Sequence, residues 1–287
     1  MAQVEELRKL IHIDERKMDD YKFKIASNMD EFYDALKLVQ EVYSQEGYIN
    51  EEESSRQCRI LKHHFFDNTA VFIGKKKQKL VFSMSLFPDS SHGLPMDTIY
   101  KEELNCLRRQ GRRIGEVGCL ATDPEYRDGS QNIPMYGNKI MLKYAMDYLK
   151  LDDLVITVHP KHALVYKKTL MFDEIGPGKI KAHPKVNNNP AVALRLNLHE
   201  AEAKVHHFYG NNPPETNLHH FFFVKDSDIL HFPENDQPTP QSINRLSVAD
   251  LPAIQKEPVL LRPWADIRFE KKEDPRIPVV FPITKSL

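Results

Sequence analysis

The order of segments in this sequence predicts an α/β (α+β) domain: one mixed central sheet with helices on both sides. Two observations carry that expectation. β-Runs and amphipathic helices alternate between residues 21 and 198, and two of the β-runs lie close enough to form an antiparallel hairpin. The 287 residues, 41% of them hydrophobic, suffice for one sizeable core with an appendage left over.

The elements follow in order. Val4, Leu7, Ile11 and Met18 recur at approximately helical spacing, so residues 1–20 are expected to form an N-terminal helix. Tyr21, Phe23 and Ile25 alternate with polar residues as a strand does. Ser27 or Asn28 then caps a helix whose inner face is Phe32, Ala35, Val39 and Val42, and Gly47 stops it. TAVFIG and KLVFSMSLF flank the turn KKKQ and form the hairpin. FPDSSHGLP is rich in turn formers and takes the chain out of the sheet before a short helix from Asp97 to Gln110, closed by Gly111. Ile114 to Thr122 returns as a strand, broken by Asp123-Pro124. Ile133, Tyr136, Ile140, Tyr144, Ala145 and Tyr148 mark a long amphipathic helix, and Leu154 to Val158 a buried strand. His159-Pro160 opens a helix running through Tyr166 to Leu170, and Ile175–Ile180 and Ala191–Leu198 supply two more strands. In residues 199–287 prolines recur and the apolar residues lose their period, which predicts a C-terminal extension wrapping a core domain of residues 21–198.

Composition narrows the function. Forty basic and 41 acidic side chains leave a net charge of −1, so no global field draws the chain to nucleic acid. Cys58, Cys106 and Cys119 are an odd number at irregular spacing, which suits neither a disulfide framework nor a zinc site. The N-terminus is charged throughout and no run approaches the roughly 20 apolar residues that span a bilayer. A cytoplasmic protein with no transmembrane segment and no bound metal is expected.

Specific strings go further than the element order, which many chemistries share. EVYSQEGYIN, SMSLFPDSSHGLPMDTIYKEELNCLRRQGRRIGEVGCLATDPEYR, HPKHALVYKKTLMFDEIG and NNNPAVALRL resemble the N-acyl amino acid synthases of the FeeM type, GNAT-superfamily relatives of the acyl-homoserine lactone synthases. The resemblance implies a GNAT acyltransferase fold with a mixed, mostly antiparallel sheet. It also implies transfer of a long-chain acyl group from acyl carrier protein to the α-amine of an amino acid, with no tightly bound cofactor. The chain departs from the family's usual Ser-Arg pair where Gly118 and Cys119 stand.

Amide formation from a thioester needs a base for the amine, donors for the carbonyl oxygen and an acid for the departing sulfur. Glu116 lies on the strand where the related synthases place a carboxylate near the acceptor amine; the bland alternative is a salt bridge to Arg112, Arg113 or Arg127. Backbone N–H groups around Leu120 would hold the thioester oxygen if a bulge exposes them, and Gly118 either lets substrate approach the backbone or merely eases packing in the strand. Tyr166 occupies the place where many GNAT enzymes keep a tyrosine that protonates the sulfur, although a packed tyrosine with one hydrogen bond explains it as well. His159 is a second candidate base unless it only shapes its turn.

Asp89 is a candidate amine anchor, and Tyr43 and Tyr48 flank Gly47 where related enzymes fold a lid over substrate. YRDGSQNIPMYG lacks the spacing of the loop that cradles the pyrophosphate of CoA, which favours a carrier-protein donor over acyl-CoA. Arg108, Arg109, Arg112 and Arg113 form a basic cluster suited to an acidic carrier protein, or merely a solvated helix end. Two other functions fit less well. An acyl-homoserine lactone synthase generally carries tryptophans in an N-terminal loop, whereas the only tryptophan here is Trp264. A non-catalytic acyl-binding protein would explain the Gly118-Cys119 departure.

Overall fold

The computed structural model describes residues 11–127, 131–176 and 179–232, together with two strands at 268–274 and 277–283. In chain order the elements are β1 (Tyr21–Ile25), α1 (Met29–Gln45), α2 (Glu51–Ser54), β2 (Ala70–Lys76), β3 (Lys79–Pro88), α3 (Asp97–Arg109) and β4 (Ile114–Thr122). There follow α4 (Ile133–Lys143), β5 (Asp153–Val158), α5 (Pro160–Thr169), β6 (Asp173–Glu174), β7 (Lys181–His183), β8 (Asn189–Asn197), α6 (Leu198–Tyr209) and β9 (Leu230–His231). The separate strands β10 (Arg268–Asp274) and β11 (Ile277–Ile283) pair antiparallel with each other.

The main sheet runs β6-β8-β5-β4-β3-β2-β1-β9, with β7 also against β8. Its pairs are antiparallel except β4 with β5 and β1 with β9. This is the mixed, mostly antiparallel sheet flanked by helices that the sequence predicts.

Local chemistry explains the elements. Asn28, rather than Ser27, caps α1: its side chain accepts from the Glu31 N–H at 2.9 Å, and Asp30 and Glu31 favour the positive helix end. Gly47, at φ +71°, turns the chain after α1, and Gly111, at φ +70°, does so after α3. Helices cover both faces of the sheet. On one, Phe23, Phe82, Tyr136 and Ile140 pack with α4, α6 and the segment that follows α6. A Cβ on Gly137 would lie 2.2 Å from Phe82 Cζ, so only glycine lets α4 approach β3 this closely. On the other face, Val39 and Val42 of α1 and Leu104 and Leu107 of α3 meet Phe87 and Val155.

Three local expectations are corrected. Residues 1–10 lie outside the described part, and the remainder of the expected N-terminal helix is a single 3₁₀ turn at Glu15–Met18. Ahead of that turn the Ile13 N–H donates to the Glu215 carbonyl at 2.7 Å, so backbone hydrogen bonding goes to the later segment instead. The strand expected at Ile175–Ile180 is not formed by its described residues: β6 ends at Glu174 and β7 begins at Lys181, because Gly176 takes φ +63° and turns the chain, leaving Ile180 exposed. The long helix after Ile133 ends in a π-helical turn at Tyr144–Tyr148. Beyond α6, the Lys139 ammonium of α4 donates to the Lys225 carbonyl at 2.7 Å, and the chain then reaches β1, where β9 adds a parallel edge.

The start of β5 is clamped. Asp153 is fully buried and receives the guanidinium groups of Arg112 and Arg195, with Arg112 Nη2 and Arg195 Nε each 2.7 Å from Oδ1. The Arg113 N–H donates to the Asp152 carboxylate at 2.7 Å, which fixes the chain entering β4 beside the chain entering β5. Removing one partner of such a buried cluster leaves charge without compensation. Asp153→Ala is expected to cost about 3 kcal/mol of unfolding free energy in urea denaturation. A loss within about 0.5 kcal/mol would mean that the two arginines are already solvated.

Candidate active site

β4 and β5 start together and then part. Their parallel ladder pairs Ile114 with Asp153, Gly115 with Leu154 and Glu116 with Val155, and ends there. Residues 117–122 and 156–158 continue as strands without pairing to each other, although each keeps its outer neighbour, β3 or β8. A wedge-shaped gap therefore opens in the middle of the sheet.

The other side of β4 shows why. Ser83 of β3 faces Ala121 and Ser85 faces Gly118, so Cys119 and Leu120 together oppose only Met84. This two-against-one count is a β-bulge. Cys119 takes φ +51°, a left-handed conformation that disfavours a residue with a Cβ. Its strand consequently bends just where β5 leaves it, and the ladder pairs neither Cys119 nor Leu120. The bulge needed for an oxyanion donor is thus present at the expected residues.

Glu116 sits on the last paired rung. It is 3% exposed, and its Oε2 accepts the Met96 N–H at 2.8 Å, at the start of α3. Burial pushes its pKa up to about 8, opposed by the Met96 hydrogen bond and the nearby Lys185 charge. None of the three arginines offered as salt-bridge partners reaches it: Arg112 and Arg113 bind Asp153 and Asp152, and Arg127 binds Glu46 at 2.7 Å. Gly118 follows on the same strand face, where an added Cβ would make only ordinary contact with Phe87 at 3.5 Å. Packing does not demand this glycine; the space beside it is open.

The Cys119 thiol is buried and burial pushes its pKa up to about 11, so it stays protonated and is a poor nucleophile. Tyr43 and Tyr48 meet edge to face, with ring centroids 5.6 Å apart. The turn between them is tied down, because the Asn187 and Asn189 side chains both donate to the Gly47 carbonyl at 3.3 Å. Tyr166 lies on α5, the helix that follows β5. Burial raises its pKa, its ring packs on Phe172 at 5.8 Å, and its hydroxyl has no hydrogen-bond partner among the described residues. Tyr166 also acts electrostatically on Tyr43, so the two phenols stand near each other.

Other candidates are occupied elsewhere. The His159 side chain accepts from the Lys161 N–H at 3.2 Å and caps α5, which is the turn-shaping role. Asp89 is held by Arg108 through two hydrogen bonds, of 2.7 and 2.9 Å, and Arg108 also binds Asp97 at 2.7 Å. Within the arginine cluster, Arg108, Arg112 and Arg113 are therefore neutralised by aspartates, and Arg109 only touches Cys106 Sγ at 3.1 Å. Residues 128–130 of the loop before α4 lie outside the described part.

Sequence inspection missed several groups on the same side of the sheet. His64 accepts from the Leu61 N–H at 3.0 Å and contacts Ser85 Oγ at 3.2 Å, opposite Gly118. Burial lowers the pKa of His63 and His64 to about 3 and that of His183 to about 4, so all three are neutral. Arg59, whose guanidinium donates to the Lys185 carbonyl, and Lys185 lie close to these histidines, and both charges lower the pKa of His183. The adjacent pair His63-His64, set next to an apolar run, was the available signal. Among the described residues no group of three or more His, Cys, Asp or Glu could hold a metal ion, and no helix is long and apolar enough to cross a membrane.

Known proteins agree with this geometry. A family model described as N-acyl amino acid synthase FeeM matches residues 34–197, more than half of the chain. The solved structure of FeeM, an N-acyl amino acid synthase from uncultured soil microbes, is similar with a TM-score of 0.55 and 27% identity, over 64% of this chain and 93% of that one. A CoA-dependent acyl-homoserine lactone synthase, BjaI, has a TM-score of 0.52 and 11% identity, over 79% of this chain and 100% of that one, which is a likeness of fold. No curated protein sequence matches this one. With more than half its length matched by that model, and with the bulged and parted strands in place, the chain belongs to the FeeM N-acyl amino acid synthase family and is an acyltransferase.

Proposed function

We propose that the protein transfers a long-chain acyl group from the phosphopantetheine thioester of acyl carrier protein to the α-amine of a free amino acid, in the cytoplasm. The observation that carries this reading is the gap between β4 and β5, with a bulge on one wall, Glu116 at its closed end and Tyr166 on the helix that follows β5. An extended pantetheine arm suits such a slot, because unpaired strand edges offer it backbone hydrogen bonds.

In the proposed reaction the neutral amine attacks the thioester carbonyl carbon, the C–N bond forms and the C–S bond breaks. The ammonium proton passes to the Glu116 carboxylate, directly or through water. A base with a pKa of about 8 is well matched to that task near neutral pH. N–H groups at Cys119 and Leu120 stabilise the oxyanion. Tyr166, kept protonated by burial, gives its proton to the departing sulfur. Because the Cys119 thiol is not ionised, transfer is direct and passes through no acyl-cysteine.

The sequence of the loop before α4 supports a carrier-protein donor, since it lacks the spacing for a pyrophosphate cradle. The neutralised arginine cluster supplies little of the expected docking charge, which leaves the exposed Arg109 as its contribution. The free cysteines suit a reducing compartment.

Three outcomes are expected. Thiol release from long-chain acyl carrier protein should depend on added amino acid, and Glu116→Gln or Tyr166→Phe should each lower kcat by about 10²-fold; amine-independent release, or full activity in both variants, would contradict the assignment. Mass spectrometry of protein quenched during turnover should find no acyl adduct on Cys119. Glu116 should also mark the stability profile. Its unfolded pKa is about 4.3, so between that value and about 8 the folded state holds the extra proton. The stability it contributes is complete below the unfolded pKa and is lost as pH rises toward the folded one. Glu116→Gln should therefore gain on the wild type by up to about 1.4 kcal/mol per pH unit across that window. A difference independent of pH would show that the carboxyl is not buried.

A further inference from the structure

Two cations, Arg59 and Lys185, stand beside the buried histidines His63, His64 and His183, and among the described residues the carboxylate nearest Arg59, that of Glu53, lies only at the edge of ion-pair range. Arg59 is only 8% exposed, and its guanidinium lies over the Tyr43 ring, 5.1 Å from the centroid. It donates from Nη2 to the Lys185 carbonyl, which holds the guanidinium against the turn before β8. Its Nε–H is buried and has no partner among the described residues. Glu53 is the carboxylate within ion-pair range, 4.0 Å from Nη1, and it is already engaged at 3.2 Å by Arg56.

Lys185 forms no ion pair among the described residues, and burial lowers its pKa. Arg59, Lys185 and Glu116 all lie within electrostatic reach of the Cys119 thiol, and Arg59 is tied directly to the Lys185 backbone carbonyl. With a pKa of about 8, Glu116 is mostly protonated near neutral pH, so it balances the cations only in the minority ionised form that takes up the amine's proton, and the neighbouring histidines are neutral. A buried guanidinium with a free N–H beside a desolvated ammonium is costly unless an anion joins them.

We infer that Arg59 and Lys185 bind the carboxylate of the acyl acceptor, so that the acceptor must carry a free carboxylate next to its amine. The two groups of an α-amino acid are separated by one carbon. Anchoring the carboxylate on Arg59 and Lys185 therefore brings the amine toward Glu116 and the bulge, where the thioester carbonyl would lie. The Tyr43 ring, stacked under the guanidinium, keeps that donor from turning away. This inference rests on the acyl transfer proposed above and adds to it the group that selects the substrate.

The test compares wild-type protein on three acceptors with one side chain: phenylalanine, phenylalanine amide and phenylethylamine, each with long-chain acyl carrier protein. Phenylalanine is expected to have a kcat/KM about 10²-fold above the other two, mainly through a lower KM. Arg59→Gln should cut kcat/KM for phenylalanine by about 10- to 100-fold and that for phenylethylamine by less than about 5-fold, so that the preference collapses. Lys185→Met should act in the same direction, and Arg59→Lys should restore part of the preference. Equal use of the three acceptors by the wild type, or an undiminished preference in Arg59→Gln and Lys185→Met, would overturn the carboxylate site while leaving acyl transfer intact. Acylation of none of the amines would instead overturn the transfer reaction, and the carboxylate site with it. Because the wild-type comparison needs no variant, misfolding of Arg59→Gln cannot decide the outcome.

Discussion

The proposed chemistry depends on one break in backbone pairing. β4 must hydrogen-bond to β3 along most of its length, yet it holds β5 only as far as Glu116. Two features impose that geometry from opposite ends. Asp153, gripped by Arg112 and Arg195, locks the start of β5 to its neighbours. The bulge at Cys119 and Leu120 then bends β4 away. A parallel pair that closed completely would bury the same apolar residues but leave no edge for a substrate to join.

The polar groups beside the bulge show how such a site is maintained against its own cost. Glu116, Arg59, Lys185 and three histidines are withdrawn from water, and each has its pKa displaced or a polar atom left without a partner. Buried groups of this kind reduce stability and are retained where chemistry uses them. The surrounding structure compensates through well-packed aromatic and aliphatic layers on both faces. In the proposed reaction the raised carboxyl, the protonated phenol and the inert thiol have distinct tasks.

Sequence patterns exposed the elements of local origin. The boundaries of β4 coincide with the expected Ile114–Thr122, and Gly47 and Gly111 adopt the positive φ that their places after helices require. The candidate base and the bulge position followed from strand resemblance, but the bulge itself has no local signature, because Cys119 is not a residue that favours φ +51°. Long-range partners were illegible too. The arginines after Asn105 looked like a free basic patch, and only folding brings Asp89, Asp97, Asp152 and Asp153 against them. Arg59 and Lys185 stand 126 positions apart, so nothing in either segment announces their shared space. The turn at Gly176 does carry a local signature, the glycines and proline that interrupt the apolar run between Ile175 and Ile180.

The most direct test is a crystal structure with a non-hydrolysable acyl-pantetheine thioether. The arm should lie between residues 117–122 and 156–158, with its carbonyl oxygen on the N–H groups of the bulge and the reacting carbon facing Glu116. Density for the arm elsewhere, with those two strands zipped together along their length, would contradict the account.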